Sequence, residues 1–365
     1  MQIRSYRLFH YTLPLKQPFT THAGAIQERE GIILELQDTD GRIGYGEGVA
    51  FAVPFYTSET VASSWMLLQR SLLPFLFESQ ITHPTDIPGL FAGIVGNQMA
   101  KAAVEGAVWD LYAKQQNKSL ASCIGGTQTK AKAGAVISLS DNLEQTIEMV
   151  HQQGFERAKL KVEKYKERQA IERVMQIDDS LSLMIDGNGM YKQADIPLLA
   201  DLDSLELQMI EQPFAPGDVV LHQRLQKQMK TPICLDETVE SWEDAWQALE
   251  LQACRTINIK IGRVGGMTAA IRIHDLCQQA GLPVWCGGMV ESGISKAHNL
   301  ALASLPGFTI PGDLSGSDRH FTRDILQQPL RVEKGSIAIP DGPGIGVEVD
   351  AEYLAYVSRD IVQGG

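Results

Sequence analysis

The 365-residue chain has only five cysteines, Cys123, Cys234, Cys254, Cys277 and Cys286, and no C-x-x-C pair. An odd count without paired spacing excludes a disulfide framework and a zinc ribbon, and leaves reduced thiols in a cytosolic protein. Long apolar runs are missing too. The most tempting uncharged stretch, Ile87 to Ala100, holds Pro88, three glycines and Asn97, and is too short to span a bilayer. Arg4, Arg7 and His10 are followed by no apolar stretch, so no signal peptide is expected, and Asn117-Lys118-Ser119 reads as a chance match to a glycan acceptor. Basic residues are outnumbered, 32 Lys and Arg against 44 Asp and Glu, for a net charge of −12. That balance disfavours a non-specific nucleic-acid binder and a basic membrane-surface protein. A small anionic substrate stays open, because a metal ion or a lysine pair inverts the field locally. The expectation is therefore a cytoplasmic protein with no nucleic-acid or membrane partner.

What is present is globular: 44% hydrophobic and 21% charged residues, over a length that suggests two domains or one large barrel. Gly31 to Gln37 alternates as a strand, Asp38, Asp40 and Gly41 signal a turn, and Ile43 to Gly48 continues as its partner. From Gln98 to Gln116 the apolar residues Ala100, Ala103, Val104, Ala107, Val108 and Leu111 recur at helical spacing. Gly125-Gly126 closes this region, which we read as a first domain of residues 1–126. Between residues 127 and 324 short apolar strands alternate with helical stretches. The strand candidates are Ala133 to Ile137, Ala158 to Val162, Leu183 to Ile185, Gln208 to Ile210, Ile233 to Leu235, Ile257 to Ile259, Pro283 to Cys286 and Phe308 to Ile310. Eight such units in about 190 residues favour a closed parallel barrel over an open doubly wound sheet. After Asp324 the text turns strand-like again, Leu330 to Ile339, and residues 325–365 are expected to rejoin the first domain.

One pattern organises the chemistry. Asp186, Glu211, Asp236 and Lys260 each directly follow a short apolar strand, one βα unit apart. Strand C-terminal ends of a parallel barrel converge on one face, where the site lies. Any one of these acids alone reads as a helix N-cap or a solvated loop residue. Three in register would repel unless a cation sat between them, and all-oxygen ligands suit a hard ion such as Mg²⁺. Lys159 and Lys161, in A-K-L-K-V, share one face of the strand before Asp186. Read blandly they are surface lysines. Lys260, alone in I-N-I-K-I beyond the acids, argues instead for amines on both sides of a cavity, where lysine can serve as a base.

The series K-x-K, D-x-N, E-Q-P, D-E and K resembles the enolase superfamily, in its muconate lactonising subgroup, over nearly the whole chain. Sites of that superfamily use a Lys or His base with Mg²⁺. The resemblance implies a modified (β/α)7β TIM barrel with an N-terminal α+β capping domain completed by the C-terminal tail. It implies Asp186, Glu211 and Asp236 as metal ligands for Mg²⁺, with Mn²⁺ as a substitute. Lys161 and Lys260 become the general bases or acids on opposite faces, with Lys159, Asn188 and Glu237 in support. A proline often seen in the family near position 119 is replaced here by Ser119.

Trp285 to Gly293 and the later P-G-F-T-I-P-G-D stretch look like o-succinylbenzoate synthases and their N-succinylamino acid racemase relatives. Arg263, in K-I-G-R-V-G-G, resembles an arginine of the racemase-containing branch. The place where dipeptide epimerases carry D-x-D reads Pro311-Gly312-Asp313-Leu314-Ser315, which disfavours that branch. Gly312 and the residues after it offer backbone donors for a succinyl carboxylate, or form an ordinary turn. Candidate substrate contacts are Thr20, Phe51, Tyr56, Gly288, Met289, Glu291, Ile294 and Gly312. Loops Phe19 to Gly24 and Phe51 to Tyr56 are suited to closing over a substrate. His22, Trp65, Trp242 and Trp246 read as structural.

The implied activity is a hydro-lyase reaction, an Mg²⁺-dependent o-succinylbenzoate synthase of menaquinone synthesis working through an enediolate on a small anionic carboxylate substrate, in a homo-oligomer. The alternative is N-succinylamino acid racemization, alone or alongside, since both begin by removing a proton α to a carboxylate. A silent barrel has no physical need to keep these charges, and a nicotinamide oxidoreductase lacks its G-x-G-x-x-G.

Overall fold

Alternating apolar residues near the N-terminus build two long strands, β1 (Ile3–Thr21) and β2 (Gly24–Asp38), paired antiparallel from Ile3↔Asp38 to Thr21↔Gly24. The computed structural model describes residues 1–21, 24–139 and 142–365, and only the backbone of residues 19–21, 24 and 25. His22 lies outside the described residues. The Asp38 carboxylate accepts from the N–H groups of Asp40 and Arg42, which turns the chain into β3 (Ile43–Gly48). This is the hairpin expected from the sequence. Residues 19–21 extend β1 rather than forming the expected loop. Helix α1 (Val61–Leu67) and helix α2 (Gln98–Gln115) cover the sheet. Leu8, Ile32, Leu34 and Leu36 of the sheet pack against Val104, Val108 and Leu111 of α2. A side chain at Gly44 or Gly46 would collide with the α2 backbone at Ala107 or Ala103, so α2 lies directly on β3. Ser119 caps a short helix, Leu120–Cys123, by accepting from the Ser122 N–H at 3.2 Å.

Seven parallel strands then form one curled sheet. They are β5 (Ala135–Ser138), β6 (Arg157–Lys161), β7 (Ser182–Asp186), β8 (Met209–Glu211), β9 (Ile233–Leu235), β10 (Thr256–Ile259) and β11 (Val284–Cys286), each paired with its sequence neighbour. Amphipathic helices follow the strands, α3 (Leu143–Gln152), α4 (Glu167–Ile177), α5 (Ile196–Asp201), α6 (Val219–Gln226), α7 (Trp242–Glu250), α8 (Met267–Gln279) and α9 (Gly293–Leu302). The expected eighth strand contracts to single bridges. Phe308 pairs with Val284 on one edge and Gly312 with Ala133 on the other, so residues 308–312 close the ring. Pro311 has no N–H to extend a ladder there.

The C-terminal tail divides. Within the expected strand Leu330 to Ile339, only β12 (Ser336–Ala338) forms, and it pairs with β4 (Lys130–Lys132) beside the barrel rather than with the first sheet. Strand β13 (Ser358–Gly364) pairs with β1 instead, giving the order β13-β1-β2-β3. It is a mostly exposed edge strand, with little apolar alternation to read.

Candidate active site

Short buried strands end in the acids. Asp186 closes β7 and Glu211 closes β8, and the two are Cα partners in the ladder. Asp236 directly follows β9 and Lys260 directly follows β10. Gln212 binds the exits of β8 and β9 together. Its amide oxygen accepts from the N–H groups of Asp236 (3.0 Å) and Thr238 (3.2 Å), and its NH₂ donates to Thr238 Oγ1 (2.7 Å) and Phe214 O (2.9 Å). Gln212 holds φ at 35°, a left-handed conformation that costs a non-glycine residue energy and is kept here by these four bonds.

Two clusters result. In the first, Lys159 Nζ donates to Glu211 Oε2 at 2.8 Å and Asp186 Oδ2 at 3.2 Å, and pairs with Asp313 Oδ2 at 2.5 Å. Asn258 Nδ2 donates to the other Glu211 oxygen at 2.9 Å, and Arg157 Nη2 to Asp313 Oδ1 at 2.9 Å. Arg157 and Lys159 both lie over the Trp285 ring. In the second, Asp236 accepts from Lys260 Nζ at 2.8 Å, from Arg263 Nη1, and from the Tyr56 hydroxyl at 3.3 Å. Tyr56 in turn accepts from Lys260 at 2.9 Å and Arg263 at 3.0 Å. Arg263 also donates to Val239 O and Asn258 O, so it buttresses the carboxylate from below.

The electrostatics follow from burial and pairing. Burial, then Asp186, pushes the Glu211 carboxyl well above its ordinary range, against the pull of Lys159. Burial acts against the charged forms of Asp236 and Lys260. Arg263 and Lys260 nevertheless hold Asp236 low, and Asp236, then Tyr56, raises Lys260. Burial, then Asp236 and Asp186, pushes Glu237 up to about 7, and its Oε2 is buried without a partner among the described residues.

The remaining expected residues divide. Lys161 ends β6, is exposed, and has no hydrogen bond or ion pair among the described residues. Asn188 is exposed, and its N–H, not its side chain, donates to Asp186 Oδ1. Phe51 packs with the rings of Phe55 and Tyr56 and with Met289, under the Arg29 guanidinium. The side chain of Thr20 lies outside the described residues. Gly288 sits against Asp313, where an added Cβ would lie 3.0 Å from its carbonyl oxygen. One expectation needs correction. The Gly312 N–H is spent on Lys132 O at 2.9 Å, because residues 308–312 close the barrel wall, so it is no free donor to a succinyl group. Ile294 is fully buried, within the hydrophobic core. Glu291 is turned inward as well, accepting from the Met289 N–H and from Asn299 Nδ2. Trp65 packs on His10, and Trp242 stacks on Trp246, as structural residues would.

Sequence reading gave no side-chain role to Arg157, Asn258, Gln212 or Asp313. A signal for two of them exists. Arg157, Lys159 and Lys161 alternate along β6, and Asn258 stands two residues before Lys260, so each shares a strand face with a residue already singled out.

Asp186, Glu211 and Asp236 are all-oxygen, anionic donors at consecutive strand ends, a donor chemistry that fits Mg²⁺. An ammonium already sits between two of them, which marks the place as one where positive charge is favoured. As the side chains stand, Lys159, Lys260 and Arg263 take those oxygens, and among the described residues no three His, Cys, Asp or Glu side chains are arranged to hold an ion. No described helix is long and apolar enough to cross a membrane.

Comparison with known proteins agrees with this geometry. Residues 3–125 match the N-terminal domain of the mandelate racemase / muconate lactonizing enzyme family, and residues 142–353 match the enolase C-terminal domain-like family. An o-succinylbenzoate synthase of Geobacillus kaustophilus is 47% identical over 95% of this chain and 93% of its own. An N-succinylamino acid racemase of Thermus thermophilus is 37% identical over 98% of both chains. A crystal structure of an enolase superfamily member from Listeria innocua superposes with a TM-score of 0.96 at 43% identity, covering 100% of this chain and 99% of that one.

Proposed function

The chain belongs to the mandelate racemase / muconate lactonizing enzyme family of the enolase superfamily, and on that premise we propose that it is an o-succinylbenzoate synthase. The reaction is dehydration of 2-succinyl-6-hydroxy-2,4-cyclohexadiene-1-carboxylate, a step of menaquinone biosynthesis. The observation that carries the reading is the pair of amines, Lys161 ending β6 and Lys260 following β10, on either side of three strand-end acids. The greater identity to a synthase than to a racemase, 47% against 37%, favours dehydration as the main activity.

Asp186, Glu211 and Asp236 would hold Mg²⁺, which when bound supplies stabilisation for the negative charge that develops on the substrate carboxylate. Exposed at the end of β6 and unpaired among the described residues, Lys161 takes the proton from the carbon bearing that carboxylate. It then returns the proton to the departing hydroxyl, which leaves as water while the ring becomes aromatic. Lys260, fixed by Asp236 and Tyr56, faces the developing anion as a cation. Lys159 adds positive charge at the carboxylate end, while Glu237 and Asn188 support the acids. Arg263 fixes Asp236. Residues 1–126, joined by 325–365, act as a cap over a barrel of residues 127–324, and the segment from Phe51 to Tyr56 carries the cap into the site through the Tyr56 hydroxyl. Both faces of a substrate carbon would be within reach of an amine, so racemization of N-succinylamino acids is the second reading.

The test is to offer the purified protein the cyclohexadiene dicarboxylate and several N-succinylamino acids and compare kcat/KM. Dehydration should dominate. A protein that racemizes the amino acids far faster reverses the order of the two readings, and one that does neither removes both.

A further inference from the structure

Six cationic side chains of Lys and Arg are buried among the described residues, Arg29, Arg157, Lys159, Lys260, Arg263 and Lys296. Four are paired with carboxylates in the site above. Arg29 spends its guanidinium on the backbone oxygens of Val49, Ala50, Glu30 and Val290. Lys296 is different. It is 3% exposed, and among the described residues its one hydrogen-bond partner is Ser315 Oγ at 2.9 Å and no carboxylate lies within ion-pair distance. An ammonium carries three N–H donors, so two are uncommitted, and a buried charge without a counter-ion is costly. The cost points to an anion that the described residues do not provide.

The position says which anion. Lys296 lies in the first turns of α9, the helix that follows the Gly288–Ser292 connection after β11, and so stands at the end of the barrel where the strands deliver the acids. Ser315 is two residues beyond Asp313, at most about 7 Å along the chain, and Asp313 pairs with Lys159. Lys296 is therefore tied, through Ser315, to the segment that brings Asp313 to Lys159. Its field is felt nearby. His320, in the segment that pairs with β1 through the Leu15↔Phe321 bridge, is driven down to about 3 by burial and then by Lys296 and Arg319. The backbone donors first expected to serve here are spent, Gly312 N–H on Lys132 O and Asp313 N–H on Cys286 O.

We propose that Lys296, oriented by Ser315, is the subsite for the second, remote carboxylate of the substrate, the end of the succinyl arm. The inference rests on the reading above that the substrate carries two carboxylates, one at the reacting carbon and one at the end of a flexible arm. It assigns the arm's recognition to a single buried ammonium rather than to a glycine-rich turn.

Calorimetric titration with two ligands tests it, 2-succinylbenzoate and 2-butanoylbenzoate, which differ only in the terminal carboxylate. Wild type should prefer the first by roughly 10–100-fold, as expected for a charge-assisted hydrogen bond to a desolvated anion. Lys296→Met should bind the two within about threefold of each other, and Lys296→Arg should keep most of the preference. Ser315→Ala, in a loop and without loss of charge, should weaken only the succinyl ligand, by a few-fold. A wild type that fails to discriminate overturns the subsite even if Lys296→Met does not fold, and so does a folded Lys296→Met that still discriminates. Turnover of the cyclohexadiene dicarboxylate by wild type is measured alongside. Turnover with unchanged discrimination in Lys296→Met rejects the subsite alone, whereas discrimination without turnover or racemization rejects the reaction and leaves the subsite standing.

Discussion

Lys159 and Lys161 are two positions apart on one strand face, yet their surroundings assign them opposite work. Lys159 is held by three carboxylates, whereas Lys161 is exposed with no partner among the described residues. Against the effect of burial, three carboxylates hold the proton on Lys159, which leaves Lys161 as the amine on this strand placed to transfer one. Lys161→Ala should therefore lower kcat for dehydration by about 10²–10⁴-fold, the range of a general acid–base group, with a smaller change in KM. Steady-state kinetics checks this, and a variant within tenfold of wild-type kcat places the base elsewhere. The acids were legible because each directly follows or ends an apolar strand at one-unit spacing, and the two lysines because they share one face of β6. Lys296 was not. A lysine four residues into a helix reads as a solvated face, and only the fold reveals that this face is buried. Tyr56 was named, but its link to Lys260 joins residues 204 positions apart, which no local pattern encodes.

Elements carry the next constraint, because the first sheet and the barrel meet at a helix end. Glu47, on β3, is fully enclosed and accepts from Ser292 N–H, Ser292 Oγ and Ser295 N–H at the N-terminus of α9, and from the Tyr11 hydroxyl. It satisfies orphan donors of that helix and favours its dipole from another domain. Glu47→Ala should cost about 2–4 kcal/mol, by leaving buried donors unpaired, and lower Tm in a thermal melt. A variant that melts with wild type shows that the link is dispensable. A second element-scale effect belongs to α6. His222 Nδ1 donates to Asp218 O and Nε2 accepts from the Phe214 N–H, and burial drives the ring down to about 4. The sign is that of a group kept neutral by folding. Its contribution is complete above about pH 6.5, where the unfolded ring is also neutral, and is lost as pH falls from 6.5 towards 4, because the unfolded chain binds the proton first. By pH 5 the loss is about 2 kcal/mol. Urea unfolding at pH 7.5 and pH 5 should show wild type losing more stability than His222→Gln by about that amount, and equal losses contradict it. The strands and the first hairpin were legible from periodicity. The eighth strand was over-read because residues 308–312 have strand composition while Pro311 limits them to bridges, and the tail's return to the first sheet was expected but not its strand, because β13 has too little apolar pattern to announce itself.

At the scale of the whole molecule, the site gathers like charge that folding must tolerate. Asp186, Glu211, Asp236 and Glu237 come from two neighbouring strands and the turn after a third, and Glu211 and Glu237 are both pushed upward by burial and by acidic neighbours. Such a cluster weakens the fold and is offset only in part by Lys159, Lys260 and Arg263. A divalent ion that binds the folded chain alone stabilises it by mass action, about 2.7 kcal/mol at a hundredfold excess over Kd. Chelator-treated protein should therefore lose turnover, regain it with Mg²⁺, and rise in Tm with added Mg²⁺ in a concentration-dependent way. Asp186→Asn and Asp236→Asn should blunt the rise in Tm as well as the activity. Because the thermal shift is read without substrate, it separates loss of the ion from loss of chemistry. A wild-type protein fully active after chelation, or a thermal shift that persists unchanged in both variants, would mean that these three carboxylates serve the lysines and not an ion.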